Sequence, residues 1–153
     1  MASIDRSEPV ILGHVLAEHH ELFCQMMAVR SAFADKAAVS QDRVDATLVA
    51  LHALREHLRC HFEKEEEGGF LEESIARMPR LGPAVAAIMK QHPSLLAELD
   101  ALIKLLSAGD RSPATWEQAS RVYECFAAHM QAHERSENAV VQEGYNEDLG
   151  LLD

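Results

Sequence analysis

Cysteine is scarce and poorly placed for crosslinking. The chain has three, Cys24, Cys60 and Cys125, an odd number, far apart and with no C-x-x-C pair. That fits reduced thiols better than a disulfide framework, with Cys60 and Cys125 read as small apolar groups packed near the functional site. Basic residues are outnumbered too: 14 lysines and arginines against 25 aspartates and glutamates give a net charge of -11. Such a surface repels phosphate backbones and anionic lipid, which argues against nucleic acid or a membrane surface as a partner. Long apolar runs are missing. In MASIDRSEPVILGH an Asp and a Glu precede only a short apolar stretch, so neither a signal peptide nor a membrane span is expected, and the cytoplasm is the expected compartment. Strand patterning is almost absent.

What the chain does have is helical periodicity over enough length for one domain. Its 153 residues can bury a full core without disulfides, so a single domain over 1–153 is expected, with a core from about 8 to 143 and a loosely packed tail over 144–153. The first helix is expected from Ser7-Glu8-Pro9 to about Asp35, with Leu12, Leu16, Phe23, Met26 and Met27 inward. A second starts after Ser40 and carries Val44, Leu48, Leu51, Leu54 and Leu58 until Gly68-Gly69 stops it. Residues 70–82, FLEESIARMPRLG, read as a short helical turn and a loop. The third helix opens at Pro83 and runs to Gly109, with Pro93 expected to bend it. The fourth begins at Ser112-Pro113, a capping residue and a Pro at the first helical position, and reaches about Gly144. Short links between long helices make neighbours antiparallel, so the expected architecture is an all-α, up-down-up-down antiparallel four-helix bundle.

On two of these helices the pattern His-x-x-x-His-x-x-x-Glu recurs, at His57/His61/Glu65 and at His129/His133/Glu137. Residues four apart share a helix face, so each set forms a stripe of potential metal ligands. Each copy is preceded at nearly equal distance by a histidine in an apolar helical frame: His19 lies 42 residues before His61, and His92 lies 41 before His133. The chain therefore reads as a doubled helix pair with ligands at matching depth. Burying six such groups without function is costly, and the metal reading is preferred over satisfied polar residues. His14, His20 and His52 need no function on this reading, although His20 stands next to His19 as an alternative. A helix turns about 100° between neighbours, so only one of the two can face inward, and the E-H-x-x-L-F frame favours His19. His57 and His129 lie one turn before His61 and His133 and stand as alternative ligands or as groups that hydrogen-bond to ligands. Folding the chain back near Lys36 and Gly109 places them opposite His19 and His92. Glu63, Glu66 and Glu67 read as a solvated acidic face.

Imidazole with carboxylate suits iron, zinc, manganese or copper, while the lack of cysteine in the repeated pattern argues against a closed structural zinc site. Two ions bridged by Glu65 and Glu137 would use the set economically and leave positions for a small molecule, which makes a dinuclear iron centre the leading choice. Zinc and manganese rank behind it. Ferritin-like di-iron bundles are set apart by spacing: they use Glu-x-x-His, and none of the nine histidines here has a Glu three residues before it.

The segments LAEHHELF around His19, HFEKEE from His61, MKQHPSLL around His92 and HERSEN from His133 together resemble the hemerythrin-like, or HHE cation-binding, family over about Leu12 to Val141. The resemblance implies a hemerythrin-like bundle in which His19, His61, Glu65, His92, His133 and Glu137 are iron ligands, with the two glutamates and an oxygen bridging two irons. The chain departs from the oxygen-carrying members, whose third helix has a second histidine one turn after the first; here that position is Leu96. A carrier role is thereby put in doubt. Three functions remain: a module that binds or senses dioxygen or nitric oxide, a di-iron oxidoreductase acting on peroxide or nitric oxide, and an iron-handling protein, for instance a donor in iron–sulfur cluster repair.

Overall fold

Two of the long helices start at a serine that caps them. In the computed structural model, which describes residues 7–150 and the side chains of residues 16–144 apart from Phe70, the helices are α1 Ser7–Ala34, α2 Gln41–Glu66, α3 Phe70–Arg77, α4 Gly82–Ala108 and α5 Pro113–Gly150. A 3-10 turn, Pro79–Leu81, precedes α4. Ser40 Oγ accepts from the Arg43 N–H at 3.2 Å and Ser112 Oγ from the Thr115 N–H at 3.1 Å, each satisfying a donor at the start of a helix. Past the end of α2, Gly68 adopts φ +97°, a left-handed conformation that a side chain would strain. No strand occurs among the described residues.

Contacts between helices run in opposite directions along each pair, so neighbours are antiparallel. Gln25 meets His57 and Glu18 meets His61 between α1 and α2. Arg55 meets Asp100 and Glu66 meets His92 between α2 and α4. Glu98 meets His129 and Gln91 meets His133 between α4 and α5. Tyr123 bonds Met26 and Glu137 reaches His19 between α5 and α1, which closes the ring. Four packed helices thus form the bundle.

One stripe of each helix fills the main core, including Leu22, Val29, Leu51, Leu54, Leu58, Leu99, Leu102 and Phe126. Phe33, Trp116 and Tyr123 stack at its far end. A second cluster of Leu71, Met78, Leu81, Val85, Ile88, Val140 and Val141 lies at the other end, where α3 packs across α5 and α4. The polar residues of interest lie between the two clusters.

Several expectations are corrected. Leu16, Phe23 and Met27 are 50, 49 and 39% exposed rather than inward, because the buried stripe of α1 runs through His19, Leu22, Met26, Val29 and Phe33. Residues 70–82 are not a turn and loop: their apolar positions, Leu71, Met78 and Leu81, give a two-turn helix and a 3-10 turn something to pack on. The fourth long helix does not end near Gly144 but continues to Gly150. Cys125 is exposed and Cys60 half-buried, so neither is a core residue. The side chains of Leu12 and His14, and residues 151–153 of the tail, lie outside the described residues. No helix among the described residues is long and apolar enough to cross a membrane.

Candidate metal centre

The centre is built from one residue on α1, two on α2, one on α4 and two on α5. His19, His61, Glu65, His92, His133 and Glu137 are all buried and are brought together. They fall into two sets of four, His19/His61/Glu65/Glu137 and Glu65/His92/His133/Glu137, in each of which one donor atom per residue lies within 4.8 Å of the others. Both carboxylates belong to both sets. Glu65 turns Oε1 to His61 Nε2 at 2.5 Å and Oε2 to His92 Nε2 at 2.9 Å. Glu137 turns Oε2 to His19 Nε2 at 2.9 Å and Oε1 to His133 Nε2 at 2.6 Å. Each acid therefore presents one oxygen to each pair of rings.

Although these atoms lie within ion-pair distance, most of them miss hydrogen-bond geometry. Nε2 of His61, His92 and His133, both oxygens of Glu65 and Oε1 of Glu137 are buried without a hydrogen bond. So many unmet polar atoms facing one another in a bundle interior are expensive unless something satisfies them jointly. A metal ion does that. The donor set fits one in chemistry as well: imidazole and carboxylate suit iron and other divalent transition metals, and no thiolate joins them.

The rings are held from behind. Nδ1 of His61 meets Glu18 Oε2 at 2.9 Å, Nδ1 of His92 meets Glu66 Oε1 at 3.0 Å and Nδ1 of His133 meets Gln91 Oε1 at 2.8 Å. An acceptor at Nδ1 keeps the proton there and leaves the Nε2 lone pair facing inward. Phe62 lies against His92 and edge-on to His133. Among these partners, sequence reasoning missed Glu18 and Gln91 and assigned Glu66 to the solvated face. Glu66 is half-exposed, but its carboxylate reaches back to the His92 ring of the neighbouring helix.

Electrostatics follow from the same crowding. Burial pushes His61 down, but the Glu137 and Glu65 carboxylates outweigh it and raise the ring to about 10. His92 is raised to about 9 by the same acids against the same burial, and His19 is raised by Glu137. For Glu137, the four histidines overcome burial and hold the carboxyl far below the usual range. Burial pushes Glu134, one residue after His133, upward.

Among the described residues, the remaining histidines stay outside the cluster. His20 is exposed and meets Cys24 at 3.6 Å. His57 is half-buried, with Nδ1 on Gln25 at 2.7 Å, and His129, 64% exposed on its side chain, has Nδ1 on Glu98 at 2.7 Å. Folding back at the loops had set His57 opposite His19; in the structure His61 is the ring beside it, with centroids 5.5 Å apart. A surface cavity of about 290 Å³ between α4 and α5 is lined by Gln91, Glu98, His129 and His133. No protein-family model, curated protein or solved structure matches the chain.

Proposed function

We propose that this chain is a non-heme di-iron protein of the hemerythrin-like type that binds or senses a small diatomic ligand, dioxygen or nitric oxide, in the cytoplasm. The observation that carries the reading is the sharing of Glu65 and Glu137 between two four-ligand sets, one carboxylate oxygen directed to each. A single tetrahedral zinc needs only four ligands. Two ions with two carboxylates in common use all six residues, and two histidines with two carboxylate oxygens leave each ion short of six-coordination.

When bound, a pair of ferrous irons supplies the electrons and open coordination positions that a diatomic ligand requires. The chain's own contribution is orientation and seclusion. Glu18, Glu66 and Gln91 fix three rings with Nε2 inward, and the two apolar clusters keep bulk water from the centre. The cavity between α4 and α5 gives a small molecule an approach to the His133 side.

An oxidoreductase needs proton donors besides the ligands. His57 and His129, the histidines nearest to the ligand stripes, are tied to Gln25 and Glu98 away from the centre. Binding therefore leads over turnover, with iron handling as the reading to which a labile centre would point.

The test is elemental analysis of the purified protein, with its absorption spectrum after anaerobic reduction and exposure to air. About two irons per chain, with near-ultraviolet absorption of an oxygen-bridged ferric pair, is the expected result. A reversible spectral change with dioxygen or nitric oxide, without steady consumption, distinguishes binding from catalysis. Zinc alone, or no metal after reconstitution with ferrous iron, overturns the reading.

A further inference from the structure

The two halves of the bundle repeat one another beyond the ligands. His19 and His92 stand 73 residues apart, and His61 and His133, like Glu65 and Glu137, stand 72 apart. The same shifts relate buried Leu22 to Leu95, Leu51 to Tyr123 and Leu58 to Met130, and capping Ser40 to capping Ser112. They also relate the groups behind the histidines. Glu18 on His61 corresponds to Gln91 on His133. Gln25 on His57 corresponds to Glu98 on His129.

One pair has no counterpart. Glu66, on α2, takes Nδ1 of His92 on α4. The residue 72 positions after Glu66 is Asn138 on α5, and the ring that corresponds to His92 is His19 on α1. Helices α5 and α1 are neighbours, as α2 and α4 are. Nδ1 of His19 and Oδ1 of Asn138 are both buried and both without a hydrogen bond.

We propose that Asn138 is the positioning residue of His19, its Oδ1 accepting the hydrogen bond from Nδ1–H. The proposal rests on the metal reading above, for which chemistry demands such a partner. When Nε2 of a neutral imidazole is a ligand, the ring proton sits on Nδ1, and a buried donor needs an acceptor. Asparagine is one methylene shorter than Glu66, which accounts for the unmade bond. With it, each four-ligand set has one ring backed by an acid and one by an amide: Glu18 and Asn138 behind His61 and His19, Glu66 and Gln91 behind His92 and His133. The two sets then match electrostatically.

Glu134 is the rival acceptor. Its charge acts on His19, and its Oε1 is buried without a hydrogen bond. The repeat, however, pairs Glu134 with Phe62, which lies flat over the face of His92 and not at Nδ1. By that correspondence Glu134 belongs over the His19 ring face and leaves Nδ1 to Asn138.

The experiment is a chelator-competition titration with cobalt(II), read by its visible absorption, on the wild type and on Asn138→Leu, Asn138→Ser, Asn138→Gln, Gln91→Leu and Glu134→Gln. Asn138→Leu and Asn138→Ser are each expected to weaken binding by about 10–100-fold, as Gln91→Leu does. The serine variant keeps the test valid where the leucine variant fails to fold. Asn138→Gln, with the reach of Gln91, is expected to bind at least as tightly as the wild type and to keep its spectrum; a merely structural role would be worsened by the larger side chain. The proposal is overturned if the serine and leucine variants stay within about threefold of wild type while Gln91→Leu does not. It is equally overturned if Glu134→Gln shows the loss in their place. A wild type that binds neither cobalt nor iron defeats the metal reading itself, a different result from a wild type that binds and does not need Asn138.

Discussion

Phe62 lies flat on the His92 imidazole, with ring centroids 3.9 Å apart and planes 6° from parallel. The same phenyl ring meets His133 edge-on at 5.3 Å, so one buried apolar side chain fixes the attitude of two potential ligands. Phe62→Ala is expected to cost about 3–5 kcal/mol of stability, the usual loss for a buried phenylalanine. Phe62→Leu, which keeps most of the volume, should cost no more than about 1.5 kcal/mol and yet weaken metal binding. Urea midpoints set beside metal titrations check this. A leucine variant that binds as the wild type does would assign Phe62 to packing alone.

Glu137 is the residue on which the centre depends most, since all four rings of the cluster approach its carboxylate. Glu137→Gln keeps the shape but removes the charge and one acceptor. Metal affinity is expected to fall by more than about 100-fold, beyond what loss of an outer partner costs. Metal retained per chain after gel filtration measures it, and near-full occupancy would remove Glu137 from the ligand set.

Acidity provides a further check, on metal-free protein. His61 and His92 are raised to about 10 and about 9, above their unfolded values near 6.5. Their contribution to stability is therefore complete below about pH 6.5 and lost as pH rises through 9 to 10. Glu137 is shifted the other way, so its contribution is present above its unfolded value and lost as pH falls toward the native one. The urea midpoint of apo-protein should fall between about pH 7 and about pH 10. A metal ion needs neutral rings, so loading at neutral pH should release protons, detectable by calorimetry in buffers of different ionisation enthalpy. Loading without proton release would contradict the charged state of His61 and His92.

Far from the centre, the Tyr123 hydroxyl donates to the Met26 carbonyl at 2.6 Å and ties α5 to α1. Tyr123→Phe is expected to cost about 1 kcal/mol with metal stoichiometry unchanged. Should metal be lost as well, the α1–α5 seam and the centre are coupled more closely than their separation along the helices implies.

How far the site was legible depended on the range of the signal. Glu65 and Glu137 could be aligned with His61 and His133 because four-residue spacing along one helix is a local property. The choice between His57 and His61 was different, since both occupy the same stripe. It turned on how far α1 and α2 slide past each other, which loops of uncertain length do not fix, and His61 is the ring beside His19. Glu18, Glu66 and Gln91 escaped for a related reason. Each is a polar neighbour of a cluster residue in sequence but serves a ring on another helix. A signal was present: a Glu or Gln directly beside His19, Glu65 or His92.

The order of the long helices, the serine caps of two of them and the doubled His-x-x-x-His-x-x-x-Glu stripes were determined by the sequence itself, because helical period and capping act over four or five residues. Tertiary structure decided which face of α1 turns inward, burying Leu22, Val29 and Phe33 in place of Leu16, Phe23 and Met27. It also decided that residues 70–82 fold across the end of the bundle, and that each carboxylate divides its two oxygens between two pairs of rings. Those outcomes depend on the rotation and axial offset of packed helices, which are set by the whole core at once and by no single segment of it.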